Sequence, residues 1–167
     1  MELYRGELET AFGPMHVTVD ADGILVETWL PGRARRKEST PNPTRAAATG
    51  LDRARKQLDE YFSRKRRTFD LRFEPHGTPF ELQIWKRLCD IPYGRTLSYG
   101  AIADELGLVN GARAVGRANG ANPIPIVIPC HRVIGSNGEL VGFGGGLPLK
   151  RALLELEEAI VVQPRLF

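Results

Sequence analysis

Cys130 and His131 are adjacent, at the end of the run Asn122-Pro123-Ile124-Pro125-Ile126-Val127-Ile128-Pro129-Cys130-His131-Arg132-Val133. A cysteine becomes a nucleophile when its surroundings lower its pKa and populate the thiolate. A histidine and two arginines could do this for Cys130. The prolines forbid a helix, and the apolar residues between them predict a buried extended segment. Pro129 would fix the approach to Cys130 and deliver polar side chains to a cleft wall. On an extended chain, neighbouring side chains point to opposite sides. A water between the Cys130 sulfur and the His131 ring is therefore easier to build than a direct hydrogen bond. The other cysteine, Cys89, has no such company and is expected to be an inert buried thiol.

Gly142-Phe143-Gly144-Gly145-Gly146 follows this run. It has little side-chain bulk and could offer backbone N–H groups to a substrate atom. Leu147-Pro148 then opens a helix with Leu149, Leu153, Leu154 and Leu156 as its apolar face. Glu155, Glu157 and Glu158 lie near its end, where the helix dipole disfavours carboxylates. This mildly favours a specific partner for one of them, although an ordinary solvated glutamate is the default reading.

Upstream, Thr78-Pro79 starts a helix that buries Phe80, Ile84, Trp85 and Leu88. Ser98 caps a short helix carrying Ile102, Ala103 and Leu106, which Gly107 ends. Asn110 is placed to cap the next helix, Gly111 to Asn119. Two short helices around a tight turn containing glycine match a helix-turn-helix. The second is small on nearly every side, through Gly111, Ala112, Ala114, Gly116, Ala118 and Gly120, with Arg113 and Arg117 projecting. So much glycine opposes helix formation, which suggests a helix that must approach something closely.

The first thirty residues read as strands, with a hairpin through Asp20-Ala21-Asp22-Gly23. Residues 44–63 carry Leu51, Ala54, Leu58, Tyr61 and Phe62 at helical spacing, and Phe69 to Phe73 alternate like one more strand. Pro75-His76-Gly77 breaks the pattern. It divides the chain into a strand-rich unit, residues 1–75, and a mostly helical unit, residues 76–167.

The chain has 167 residues, is 42% hydrophobic and 26% charged, and carries a net charge of +3. No run approaches the roughly 20 apolar residues that span a bilayer. The N-terminus resembles no secretory signal, and two cysteines cannot frame a disulfide scaffold. A reducing, cytoplasmic setting is expected. Residues 106–138 contain no acidic side chain but include Arg113, Arg117 and Arg132, a candidate positive surface. The basic cluster Arg33-Ala34-Arg35-Arg36-Lys37 reads as a solvated loop.

Pro129-Cys130-His131-Arg132-Val133 resembles the active-site motif of the O6-alkylguanine-DNA alkyltransferases. Phe80, Trp85, Pro92-Tyr93-Gly94, Ser98-Tyr99, Ala112-Arg113-Ala114-Val115-Gly116, Asn122-Pro123 and the glycine loop before Lys150-Arg151 resemble that family in order and spacing. The resemblance implies an α+β protein, with an RNase H-like N-terminal domain and a winged helix-turn-helix-like domain carrying the site. Cys130 would accept an alkyl group, His131 would deprotonate it through a water, and Glu157 would orient His131. Asn122 would brace the turn carrying Cys130. Tyr99 would donate to a guanine ring nitrogen, while Val133, Phe143 and Gly144 line the base pocket. Arg113 would replace the everted nucleotide in the stack, with Ala112, Gly116 and Ser136 also on the DNA side.

An alkyl group on guanine O6 inside a duplex is beyond the reach of a thiol in a cleft, so the base must be flipped at a cost of a few kcal/mol. A helix of small residues can approach the minor groove, where little sequence is read. The implied partner is double-stranded DNA, bound by a monomer that could cluster along it. No cofactor and no membrane are implied. The thioether product is a poor leaving group, so each molecule would act once. With two cysteines, the structural zinc of some members is not expected. Phe143 stands where many members have tyrosine, and Gly144 where some have serine. Three other readings fit part of the pattern: a lesion-binding relative that does not repair, a cysteine hydrolase, and a helix-turn-helix thiol sensor.

Overall fold

Alternating side chains near the N-terminus form three antiparallel strands: β1 (Leu3–Thr10), β2 (Gly13–Asp20) and β3 (Leu25–Trp29), in the order β1-β2-β3. The expected hairpin is thus β2–β3, with β1 added on its other side. The computed structural model describes residues 1–33 and 39–159. Of the basic cluster, only Arg33 falls among the described residues. Met15, Val17 and Val19 point inward from β2. The register runs from Leu3 opposite Asp20 to Thr10 opposite Gly13, and is irregular between β2 and β3 at Thr18/Val19.

Helix α1 (Arg45–Phe62) packs on this sheet with Leu51, Ala54, Leu58 and Tyr61 buried. Thr44 caps it by accepting from the Ala47 N–H at 3.0 Å, satisfying one of the donors a helix start leaves open. The predicted strand at Phe69–Phe73 is reduced to one parallel bridge, Phe73 to Leu25. Two backbone hydrogen bonds, Leu25 N–H to Arg72 and Glu74 N–H to Leu25, make that bridge.

The second half is helical: α2 (Pro79–Leu88), α3 (Tyr99–Glu105), α4 (Ala112–Gly120) and α5 (Leu147–Leu156). A two-stranded parallel ribbon joins β4 (Leu97–Ser98) to β5 (Val133–Ile134). Thr78 and Glu81 form a reciprocal capping box at α2. Ile84, Trp85 and Leu88 are buried as expected, whereas Phe80 is only partly so. The Trp85 indole donates to the Ala118 carbonyl at 2.7 Å and ties α2 to α4. Asn110 is not a cap. It sits in the α3–α4 turn at φ 53°, and Gly111 is the first flanking residue of α4, without a side-chain cap.

The architecture is mixed α+β, an antiparallel sheet followed by a helical part. One cluster of buried apolar side chains runs through both, from Tyr4 and Met15 to Leu153 and Leu156. β3 also reaches the second half directly. Thr28 donates its N–H to the Pro123 carbonyl at 3.0 Å and its hydroxyl to the Pro125 carbonyl at 2.8 Å.

The seating of α1 on the β2–β3 turn depends on two glycines. A Cβ at Gly50 would lie 2.3 Å from the Gly23 carbonyl oxygen, backbone against backbone. Gly50→Ala should therefore destabilise by about 1–3 kcal/mol in urea unfolding, the usual cost of overpacking. Gly100→Ala in α3, where nothing lies within 4 Å, should instead stabilise by about 0.5–1 kcal/mol.

Candidate active site

Residues 122–133 are buried, as expected, but not extended. Prolines 123, 125 and 129 exclude a regular helix, and the chain folds into tight turns, with Ile128 N–H bonded to the Ile124 carbonyl at 2.9 Å. Ile126 takes φ 77°, a rare conformation for a β-branched residue and one that persists only where its surroundings enforce it. Asn122 helps enforce it, donating to the Ile128 carbonyl at 2.8 Å and accepting the Ile124 N–H at 2.9 Å. Cys130–Arg132 then form one 3-10 turn. The opposite-sides geometry expected for Cys130 and His131 on an extended chain therefore does not hold.

Cys130 is 5% exposed and forms part of the wall of a cleft of about 690 Å³, within the range of small-molecule sites. One wall is α4, through Ala112, Arg113, Gly116, Arg117, Asn119 and Gly120. The small residues of α4 therefore serve an open face, since a Cβ at Gly116 would meet only the Tyr99 ring at 3.8 Å. Asn119 on α4 also donates to the Cys130 carbonyl at 3.2 Å. Tyr99, Asn122, Pro125 and the loop Val141–Gly144 complete the second-half walls, and Leu30 and Arg33 come from the first half.

Phe143 and Gly144 are thus on the cleft. Val133 is fully buried at the start of β5 and is not part of the wall. Ser136 is exposed in the loop after β5, also away from it. Cys89 is exposed, not buried. It lies just past the end of α2, where the helix no longer covers it.

His131, next in the chain after Cys130, and Glu157 are buried together. Glu157 ends α5, where the dipole disfavours it, yet it is only 2% exposed. The compensation is local: Arg132 donates from Nε to Oε1 at 2.8 Å and from Nη2 to Oε2 at 3.1 Å. Its third nitrogen donates to the Ile91 carbonyl at 2.7 Å. Arg132 is therefore neither part of a positive surface nor available to the thiolate, contrary to the sequence expectation. His131 Nε2 lies 2.6 Å from Glu157 Oε2. Burial pushes the Glu157 pKa up, but hydrogen bonds and charge from His131 and Arg132 outweigh it and bring it down to about 2.

Burial lowers the His131 pKa, against the pull of Glu157, which favours the neutral ring at neutral pH. An ionised carboxylate only accepts, so Nε2 carries the proton and Nδ1 keeps a lone pair. Nδ1 is buried without a protein partner.

Burial also pushes the Cys130 thiol up. The Asn122 side chain, the Lys150 charge and the N–H groups of Cys130 and His131 pull it back. Lys150 is the charge that sequence reasoning missed. The available signal was a lysine set among Leu149, Leu153 and Leu154 on an apolar helix face. It is fully buried, and burial lowers its pKa to about 8 while Cys130 opposes the shift. Its ammonium donates to the Val141 carbonyl at 3.0 Å, the Gly142 carbonyl at 3.3 Å and the Tyr99 hydroxyl at 3.4 Å. Tyr99 in turn donates to the Val141 carbonyl at 2.8 Å. Burial and then Cys130 push its pKa up to about 12, so it stays a donor. No group of three or more metal-ligating His, Cys, Asp or Glu residues occurs among the described residues.

Removing the Lys150 charge should raise the Cys130 pKa. In Lys150→Met, Cys130 labelling by iodoacetamide should slow below about pH 8, where the lysine is charged, and less so above it. Peptide mass mapping on a Cys89→Ser background isolates the signal. An unchanged profile would show that Lys150 does not act on the thiol.

Residues 79–159 match the family model described as "6-O-methylguanine DNA methyltransferase, DNA binding domain". A Mycobacterium bovis methylated-DNA–protein-cysteine methyltransferase is 49% identical over 136 residues, covering 81% of this chain and 78% of the relative. A Methanosarcina barkeri protein of the same name is 42% identical over 156 residues, covering 93% and 98%. Among solved structures, Mycobacterium tuberculosis OGT in complex with DNA superimposes with a TM-score of 0.81 at 42% identity, covering 93% of this chain and 92% of that one.

Proposed function

The chain belongs to the methylated-DNA–protein-cysteine methyltransferase family of DNA-repair alkyltransferases, and from that membership we propose that it everts O6-alkylguanine from duplex DNA and transfers the alkyl group irreversibly to Cys130. The observation that carries the proposal is the buried series Cys130, His131 and Glu157 at the back of a cleft walled by an arginine-bearing helix.

In this reading, the Cys130 proton passes through a water to His131 Nδ1, and the imidazolium is held by Glu157. The thiolate attacks the alkyl carbon, forming an S–C bond as the C–O6 bond breaks, and the electron pair of that bond goes to the purine. Tyr99 exchanges the Val141 carbonyl for a guanine ring nitrogen and stabilises the leaving base. A thiol held protonated by burial remains quiet until its base draws off the proton. Asn122 keeps the turn under Cys130 rigid. Phe143 and Gly144 border the base, and Val133 contributes through its backbone.

Arg113 enters the stack in place of the everted nucleotide, with Ala112 and Gly116 allowing close approach to the minor groove and Ser136 on the flanking backbone. Contacts of that kind read little sequence, which suits lesions that fall anywhere. Residues 76–167 act as the DNA-binding and alkyl-acceptor unit, and residues 1–75 act as its support. The protein works in the cytoplasm as a monomer, able to cluster on DNA, and each molecule acts once because a thioether does not release its carbon. No helix among the described residues is long and apolar enough to cross a membrane.

A duplex containing O6-methylguanine should leave one methyl group on the Cys130 peptide by mass, with no second turnover. Demethylated DNA beside unmodified Cys130 would refute the assignment. Cys130→Ser should abolish transfer and retain DNA binding. Arg113→Ala should slow repair of the duplex by about tenfold or more, on the scale of the few kcal/mol that flipping costs, and leave attack on free O6-methylguanine close to normal. Equal slowing of both reactions would exclude a flipping role.

A further inference from the structure

Glu157 Oε2 accepts three hydrogen bonds. Two come from its neighbours in the site, His131 and Arg132. The third comes from the Tyr61 hydroxyl at 2.6 Å, from a residue 96 positions earlier in the chain. Tyr61 lies in the last turn of α1, in the half that carries no part of the chemistry proposed above, and is fully buried. Its ring is fixed edge-on to Tyr93 at 6.3 Å and tilted against Phe69 at 5.6 Å, so the hydroxyl has one direction in which to point.

We propose that Tyr61 is a positioning residue of the proton relay: its hydroxyl fixes the orientation of Glu157 and draws charge from Oε2, restraining the basicity of His131. The inference rests on the reading of Cys130 as the alkyl acceptor. A hydrogen bond to a charged acceptor is stronger than one between neutral groups, and here Tyr61, His131 and Arg132 share the same oxygen. Charge spent on Tyr61 is not available to an imidazolium at His131. Burial and the Glu157 charge keep the phenol protonated, so the donor is permanent. The other titratable or charged groups acting on this pair and on His131 are Arg132 from the site turn, Tyr93 from the segment after α2 and Lys150 from α5. Arg64 and Arg67, from the first half, act on the Tyr93 ring. Tyr61 is the first-half residue bonded directly to the carboxylate that orients the nucleophile's base.

The test uses the full chain with ring-labelled histidine. In Tyr61→Phe, the His131 titration followed by NMR should move to higher pH, because Oε2 now gives its charge to the ring. The single-turnover transfer rate should fall on the order of tenfold, the scale of one hydrogen bond to a charged group, with DNA affinity within about twofold of wild type. A His131 titration and rate equal to wild type would overturn the proposal. Replacing Tyr61 by 3,5-difluorotyrosine keeps the ring and strengthens the donor, so it serves even if Tyr61→Phe does not fold. It should move the His131 titration to lower pH, and no movement would again overturn the proposal. If wild type leaves Cys130 unmethylated, the alkyl-acceptor reading fails, whereas the histidine titrations still decide the role of Tyr61.

Discussion

A carboxylate without water must be surrounded by donors or give up its charge. Glu157 is placed where it needs them most, at the negative end of a helix dipole and out of solvent. Arg132 supplies two, and His131 and Tyr61 supply one each. These bonds decide more than the comfort of one side chain. They set the tautomer of His131, hold the 3-10 turn that carries Cys130 against the end of α5, and join the first half of the chain to the second. Removing a partner from such a group leaves an uncompensated buried charge, so the constraint is strict in a way that apolar packing is not.

The opposite side of Cys130 is governed by small side chains. α4 presents alanine and glycine to the cleft and buries Val115 and Ala118 behind it. The Trp85 indole holds that helix by its backbone, not by bulk on its outer face. The glycine loop closes the far wall, and Lys150 anchors it by two carbonyls while touching the Tyr99 hydroxyl. The thiol thus sits between a polar relay fixed by charge and an open cleft.

Much of this was legible in the residues. Caps at Thr78 and Ser98 marked helix starts, because those hydroxyls satisfy N–H groups close in sequence. The apolar stripes of α1 and α5 and the Cys-His pair were legible on the same local grounds. Local reasoning failed where the partner lies far away. The fate of Arg132 depended on Ile91 and Glu157, that of Tyr61 on a carboxylate 96 residues on, and the burial of Lys150 on the loop it ties down. Asn110 had the composition of a cap but was drawn into a left-handed turn. The proline-rich run looked extended because prolines exclude helices. They do not exclude tight turns, and Asn122 selects those.

Asn119 sits on α4 and grips the main chain of Cys130. One rigid element therefore both borders the cleft and aims the sulfur. Affinity and reactivity share a single mount, and a change that shifts this helix to tighten its grip on a ligand also swings the thiol. Engineers who try to tune one property alone will find the other moving with it.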